Sequence, residues 1–127
     1  MAIYCGTDII EIERLKKSIE SVGGFKDRVF TPEEINYCES RKKSKYESYA
    51  ARFAAKEAVM KALGTGMGEG IGFNHIEVLN NEKGKPYVIL YQNALKYYEC
   101  IRAKSLDISL SHCSEYAVAY AIIEVDA

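Results

Sequence analysis

Asp8 is a carboxylate inside an otherwise apolar, largely β-branched run, Ile3-Tyr4-Cys5-Gly6-Thr7-Asp8-Ile9-Ile10. Burying a charge alone is costly, so this side chain must be paired, bound to a metal or placed at its strand's end. One reading is local: Asp8 with Glu11 three residues later has the pattern of a helix capping box. The other is chemical, a carboxylate held ready for a cation. Glu57 and Lys61 present the same choice. Four residues apart, they fit an ordinary surface salt bridge worth ~0.3–0.5 kcal/mol. On a helical wheel, however, Ala50, Phe53, Ala54 and Met60 fall within about 60° of Glu57, and Lys61 within about 40°. Charges standing among small and apolar side chains need partners beyond one another, so the pair also reads as a site.

Three further features bear on chemistry. Glycine occupies positions 64, 66, 68, 70 and 72, five of the nine glycines in the chain. The pattern is neither G-x-G-x-x-G before a helix nor a P-loop, which excludes both nucleotide-binding fingerprints. What remains is a surface loop, or a loop whose bare amides approach phosphate oxygens. His112 extends the alternation Ile108, Leu110, His112 to the end of a strand, where it is either a structural histidine or a donor to phosphate. Arg41, Lys42, Lys43 and Lys45 form a basic run, either solvated or receiving an acidic partner.

The elements that must position these groups follow from pattern. Residues 3–10 read as a buried strand and residues 11–22 as a helix ended by Gly23-Gly24. Thr31-Pro32-Glu33-Glu34 opens a second helix reaching about Ser40. Residues 47–63 form the strongest helix, dense in alanine and closed by Gly64. Strands at 75–79 and 86–90 flank a turn, residues 93–104 read as helical, and strands at 106–112 and 116–125 close the chain. The order predicts an α+β fold with a mostly antiparallel sheet packed with helices around one long central helix. In the last strand Tyr116, Val118, Tyr120 and Ile122 share one face, and Ala117, Ala119, Ala121 and Ile123 the other. Neither face suits water, so the strand is either buried within its own monomer or meets a second copy.

With 127 residues, 48% hydrophobic and 28% charged, the chain has the composition of one globular domain spanning 1–127. No apolar run approaches the ~20 residues of a membrane span. A net charge of −1 argues against coating nucleic acid. The four cysteines include no CxxC pair, and the N-terminus lacks a signal-peptide pattern, so a reduced, cytoplasmic protein is expected.

Taken together, the segments resemble the bacterial holo-acyl-carrier-protein synthases, small phosphopantetheinyl transferases. The resemblance runs through Gly6-Thr7-Asp8-Ile9-Ile10-Glu11-Ile12-Glu13-Arg14 and Arg28-Val29-Phe30-Thr31-Pro32-Glu33-Glu34. It continues in Ala51-Arg52-Phe53-Ala54-Ala55-Lys56-Glu57-Ala58 with Lys61-Ala62-Leu63-Gly64-Thr65-Gly66. Gly84-Lys85-Pro86-Tyr87 and Ser109-Leu110-Ser111-His112 complete it. The likeness implies transfer of 4′-phosphopantetheine from coenzyme A to a serine of apo acyl carrier protein, in fatty acid biosynthesis. Asp8, Glu57 and Lys61 would be catalytic, with Asp8 and Glu57 holding Mg²⁺. Arg52, Gly64, Thr65, Gly66, Gly84, Lys85, Pro86 and His112 would surround coenzyme A. Arg14, Lys42, Lys43 and Lys45 would receive the acidic carrier protein, in a homotrimer with sites between subunits. Cys113 departs from the family, which carries a hydroxyl residue there. A non-catalytic trimeric module holding a nucleotide on the glycine loop is the second reading.

Overall fold

A computed structural model describes residues 1–66 and 68–126. In chain order the elements are β1 (Ala2–Glu11), α1 (Ile12–Ser21), α2 (Phe25–Val29), α3 (Pro32–Ser40), α4 (Lys45–Leu63), β2 (Ile76–Asn80), β3 (Pro86–Leu90), α5 (Gln92–Cys100), β4 (Ala103–His112) and β5 (Tyr116–Val125). An antiparallel sheet of order β1-β5-β4 and an antiparallel β2-β3 hairpin make the β layer. The expected α+β fold, with antiparallel sheets and one long helix, is the fold observed.

The small face of β5 explains where α4 sits. Ala119, Ala121, Ile123 and Val125 are buried in one core with Ala54, Ala55, Ala58 and Ala62 of α4, while Ala117 packs with Ala50 and Ala51 of the same helix. Alanine on both surfaces lets helix and sheet approach closely. Between Tyr49 and Leu63 only Phe53, Glu57 and Lys61 of α4 escape full burial. They lie four residues apart, on one row of the helix. The opposite face of β5 stays open: Tyr116, Val118, Tyr120 and Ile122 are 37–44% exposed, and Ile3 and Ile9 of β1 are exposed with them. Of the two expectations for this strand, burial of both faces within one chain is the one that fails.

Two expectations change in detail, and one element is added. Asp8 does not cap α1. Strand β1 continues to Glu11, paired with Tyr116, so Asp8 stands mid-strand opposite Ala119, and Glu11 occupies the cap position without a side-chain bond. The fifth helix ends at Cys100 rather than 104, because Ala103 is already paired with Val125 in the sheet. A short helix, Phe25–Val29, to which the sequence pattern assigns no element, follows the Gly23-Gly24 break. The capping box at Thr31 is present: its side chain accepts from the Glu34 amide, and Glu34 accepts from the Thr31 amide.

Glu34 also anchors a buried ionic network. Lys56, fully buried on α4, pairs with Glu34 Oε1 at 2.8 Å and donates to the Phe73 and Ile76 carbonyls. Glu34 Oε2 accepts from the Val78 amide at 2.7 Å. Glu77, also buried, accepts from the Tyr91 and Thr31 hydroxyls. Burial depresses the Lys56 pKa while Glu34 pulls it back up. Each charge has hydrogen-bonding partners, as buried charges require. The network ties α4 to α3 and to the β2-β3 hairpin. Lys56→Met, which leaves Glu34 buried and unpaired, should therefore cost about 3–5 kcal/mol of stability in urea unfolding. A loss under about 1 kcal/mol, the scale of a surface pair, would contradict this role.

Candidate active site

Strand β1 and helix α4 bring the predicted carboxylates to one place. Asp8 and Glu57 line a cleft of about 430 Å³ together with Ile10, Arg14, Phe25 and Phe53. Lys61 turns to Asp8, not along the helix to Glu57: its Nζ donates to Asp8 Oδ1 at 3.2 Å and to the Thr7 carbonyl at 3.0 Å. The simple helix salt bridge is thus set aside. Thr7 in turn donates its hydroxyl to the Ala119 carbonyl at 2.9 Å, fastening this stretch of β1 to β5. Burial pushes the Glu57 pKa up, the negative charge of Asp8 pushes it further, and Lys61 draws it back. Asp8, Glu57 and Glu11 against Lys61 and Arg14 leave net negative charge at the cleft, an arrangement that a bound cation relieves.

The donor set fits a small hard dication. Both side chains offer carboxylate oxygens, the ligands such an ion prefers. Among the described residues no group of three or more histidine, cysteine or acidic side chains is assembled to hold a metal. A cation held by two carboxylates keeps positions for water and phosphate oxygens, which suits Mg²⁺ better than an all-protein cage.

The other predicted positions lie apart within the chain. Arg52 is buried in a second cleft of about 400 Å³ that it lines with Tyr37, Asn80, Gly84 and Tyr87. Its guanidinium stacks over Tyr37 at 4.3 Å and donates to Asn80 Oδ1, while its Nε is buried without a partner. Asn80 reaches the Gly84 carbonyl at 2.9 Å. Beside that turn Lys85 pairs with Asp107 at 2.8 Å, and Pro86 begins β3. Gly64 ends α4 in the left-handed region, φ +87°, and the amides of Gly64, Thr65 and Gly66 all turn back to the Met60 carbonyl. His112 Nδ1 lies 3.4 Å from Glu47 Oε2. Glu47 precedes Glu57 by ten residues, about 15 Å of helix.

Of the basic residues, Arg14 borders the carboxylate cleft. Lys42 and Lys43 are exposed in the turn before α4, and Lys45 pairs with Glu39 at 3.3 Å. Lys16 and Lys45 both lie over the Tyr46 ring, which joins α1 to that turn. The sequence pattern gives no functional part to Tyr37, Asn80 or Glu47, and to Glu34 only the capping of α3. Their tertiary partners Arg52, Lys56 and His112 lie 15 to 65 positions away in the chain, beyond the reach of local pattern.

The family model of the 4′-phosphopantetheinyl transferase superfamily matches residues 4–121, which sets the class of this fold and site. A holo-[acyl-carrier-protein] synthase of Ruminiclostridium cellulolyticum is 54% identical over 126 residues, 98% of this chain and 94% of the relative. The holo-(acyl-carrier-protein) synthase of Bacillus anthracis, solved in complex with CoA (3′,5′-ADP), superposes with a TM-score of 0.81 at 37% identity, over 98% of this chain and 100% of that one. The Chronobacterium ammoniagenes ACPS–CoA complex superposes with a TM-score of 0.89 at 30% identity, each chain fully covered. The chain belongs to the holo-[acyl-carrier-protein] synthase family.

Removing the Lys61 charge should act on its carboxylate neighbours in a defined direction. In Lys61→Met, Glu57 loses the positive charge that lowers its pKa. Its titration in the metal-free protein, followed by carboxyl ¹³C NMR, should move further upward. A downward move would contradict the geometry.

Proposed function

We propose that this protein transfers 4′-phosphopantetheine from coenzyme A to a serine of apo acyl carrier protein, releasing adenosine 3′,5′-bisphosphate. The observation that carries the reading is the convergence of Asp8 and Glu57 in one cleft, with Lys61 bonded to Asp8, in a chain of this family. The names of the relatives and their complexes with coenzyme A support it. Asp8 and Glu57 would hold Mg²⁺, which when bound would offset the charge that develops on the diphosphate. Lys61, held over Asp8 by the Thr7 carbonyl, orients that carboxylate and presents positive charge to the departing phosphate. The serine oxygen attacks the phosphorus that carries pantetheine. The bond to the bisphosphate breaks, and the serine proton passes to a cleft carboxylate or to water.

Coenzyme A lies along Arg52, the Gly64-Thr65-Gly66 turn, Gly84-Lys85-Pro86 and His112. The orphaned Nε of Arg52 is a buried donor in search of an acceptor. One chain sets His112 about 15 Å along α4 from Glu57, and the β1-β5 face exposes six large apolar side chains. Both features favour a homotrimer that completes each site between subunits. Arg14, at the rim of the carboxylate cleft, and the Lys42, Lys43 and Lys45 turn receive the acidic carrier. The reaction serves fatty acid biosynthesis in the cytoplasm.

Incubation with coenzyme A, Mg²⁺ and apo carrier protein should add the phosphopantetheine mass to the carrier. An unmodified carrier would favour a nucleotide-binding module over an enzyme. Glu57→Gln should lower turnover by about 100-fold or more while the fold persists; wild-type turnover would remove the metal assignment. Arg14→Glu should raise the KM for the carrier by about tenfold and leave that for coenzyme A nearly unchanged. An equal rise for both substrates would contradict the docking role.

A further inference from the structure

Gly6 is buried in β1, paired with Ala121, two residues before Asp8 and on the same face of the strand. A Cβ at this position would stand 2.1 Å from the Ala58 carbonyl oxygen, 2.7 Å from the Ala62 amide nitrogen and 3.0 Å from Lys61 Cβ. The first two are backbone atoms of α4, which cannot swing aside as a side chain would. Gly6 is not among the glycines with positive φ, so space, not conformation, requires it. The turn it touches begins with the residue after Glu57 and contains Lys61. This close approach of strand to helix therefore lies beside the three side chains of the proposed site.

We propose that Gly6 is a positioning residue for the divalent-cation site: its missing side chain sets the β1–α4 spacing at which Asp8 and Glu57 share one ion. The inference rests on the metal reading given above and adds a residue that binds nothing itself. Magnitudes decide the matter. Relieving a 2.1 Å approach to an ordinary carbon–oxygen separation requires β1 to retreat by about 1 Å or more, whereas metal–ligand distances tolerate about 0.2 Å. Mg²⁺ is the least forgiving of the common hard cations, since it demands near-ideal octahedral geometry. A methyl group at position 6 thus separates the two ligands by more than the ion can bridge, even where the rest of the core absorbs the change.

The test measures Mn²⁺ binding in the presence of coenzyme A, from the loss of the free-ion EPR signal, and requires no turnover. It compares wild type with Asp8→Asn, Asp8→Glu, Gly6→Ala, Gly6→Ala with Asp8→Glu, and Val59→Ala. Val59 is fully buried on α4, so its truncation loosens the core without adding bulk beneath β1. An osmolyte that favours compact states keeps the weaker variants folded. Gly6→Ala should weaken Mn²⁺ binding by about 10–100-fold, the range seen when a metal ligand loses its support. Val59→Ala should bind Mn²⁺ as wild type does. Asp8→Glu lengthens the carboxylate by one carbon–carbon bond, ~1.5 Å. Combined with Gly6→Ala it should bind Mn²⁺ more tightly than Gly6→Ala alone, a rescue that a purely structural role would not produce. Equal losses in Gly6→Ala and Val59→Ala, no gain in the double variant, or failure of Gly6→Ala to fold with osmolyte present would each overturn the proposal. Identical binding by wild type and Asp8→Asn would instead defeat the metal reading itself, and this inference with it.

Discussion

Asp8 and Glu57 are like charges held in one cleft, and the repulsion between them must be offset by the way β1 packs on α4. Part of the offset is Lys61, which donates to Asp8 and to the Thr7 carbonyl beside it. Part is geometric, because Gly6 and the alanines of α4 and β5 bring strand and helix close together. Burial and the neighbouring Asp8 charge together raise the pKa of Glu57, so the folded chain keeps unfavourable electrostatics at this point. Proteins commonly retain such a cost where a ligand relieves it. A dication followed by a diphosphate would complete the neutralisation in sequence.

Helix α4 can carry this strained cleft because it is held on its other sides. Lys56 and Glu57 are consecutive residues with opposite fates. Lys56 turns inward to Glu34 and the carbonyls before β2, where every charge finds a partner. Glu57 turns outward to the cleft, with Phe53 and Lys61 on the same row. Consecutive helix residues point about 100° apart, so a single helix serves both an anchored core and an open site. The short helix α2 supplies Phe25, which packs toward Phe53 at 6.3 Å and walls the cleft. Arg52, one turn before Lys56, lines a different cleft beside the β2-β3 turn. The proposed coenzyme A contacts therefore lie on several sides of α4, and the open apolar face of β5 offers the surface on which another chain would complete them.

Much of this was legible in the chain itself. The alanine-rich pattern of α4, the Thr31 cap and the small and bulky faces of β5 are local periodicities, and the structure carries them. Asp8 shows the limit of that kind of reasoning. Asp-x-x-Glu before a helix is the pattern of a cap, and only pairing with β5, over a hundred positions away, keeps the residue in a strand. The fifth helix is shorter than its pattern predicts for a related reason, since residues from Ala103 onward are claimed by Val125 and its neighbours. Grouping Asp8 with Glu57 and Lys61 came from likeness to a family, and the fold places the three together. Glu34 as the partner of Lys56, and Glu47 beside His112, had no signal in spacing, because their meeting depends on tertiary packing.

The account stands on one ion shared by two side chains, and anomalous diffraction from a crystal grown with Mn²⁺ and coenzyme A tests it most directly. The prediction is a single manganese peak bonded to oxygens of both Asp8 and Glu57 at about 2.1 Å, the reach of a small hard dication, with diphosphate oxygens completing its shell. A peak bonded to only one of these carboxylates, or lying on the diphosphate away from both, would contradict it.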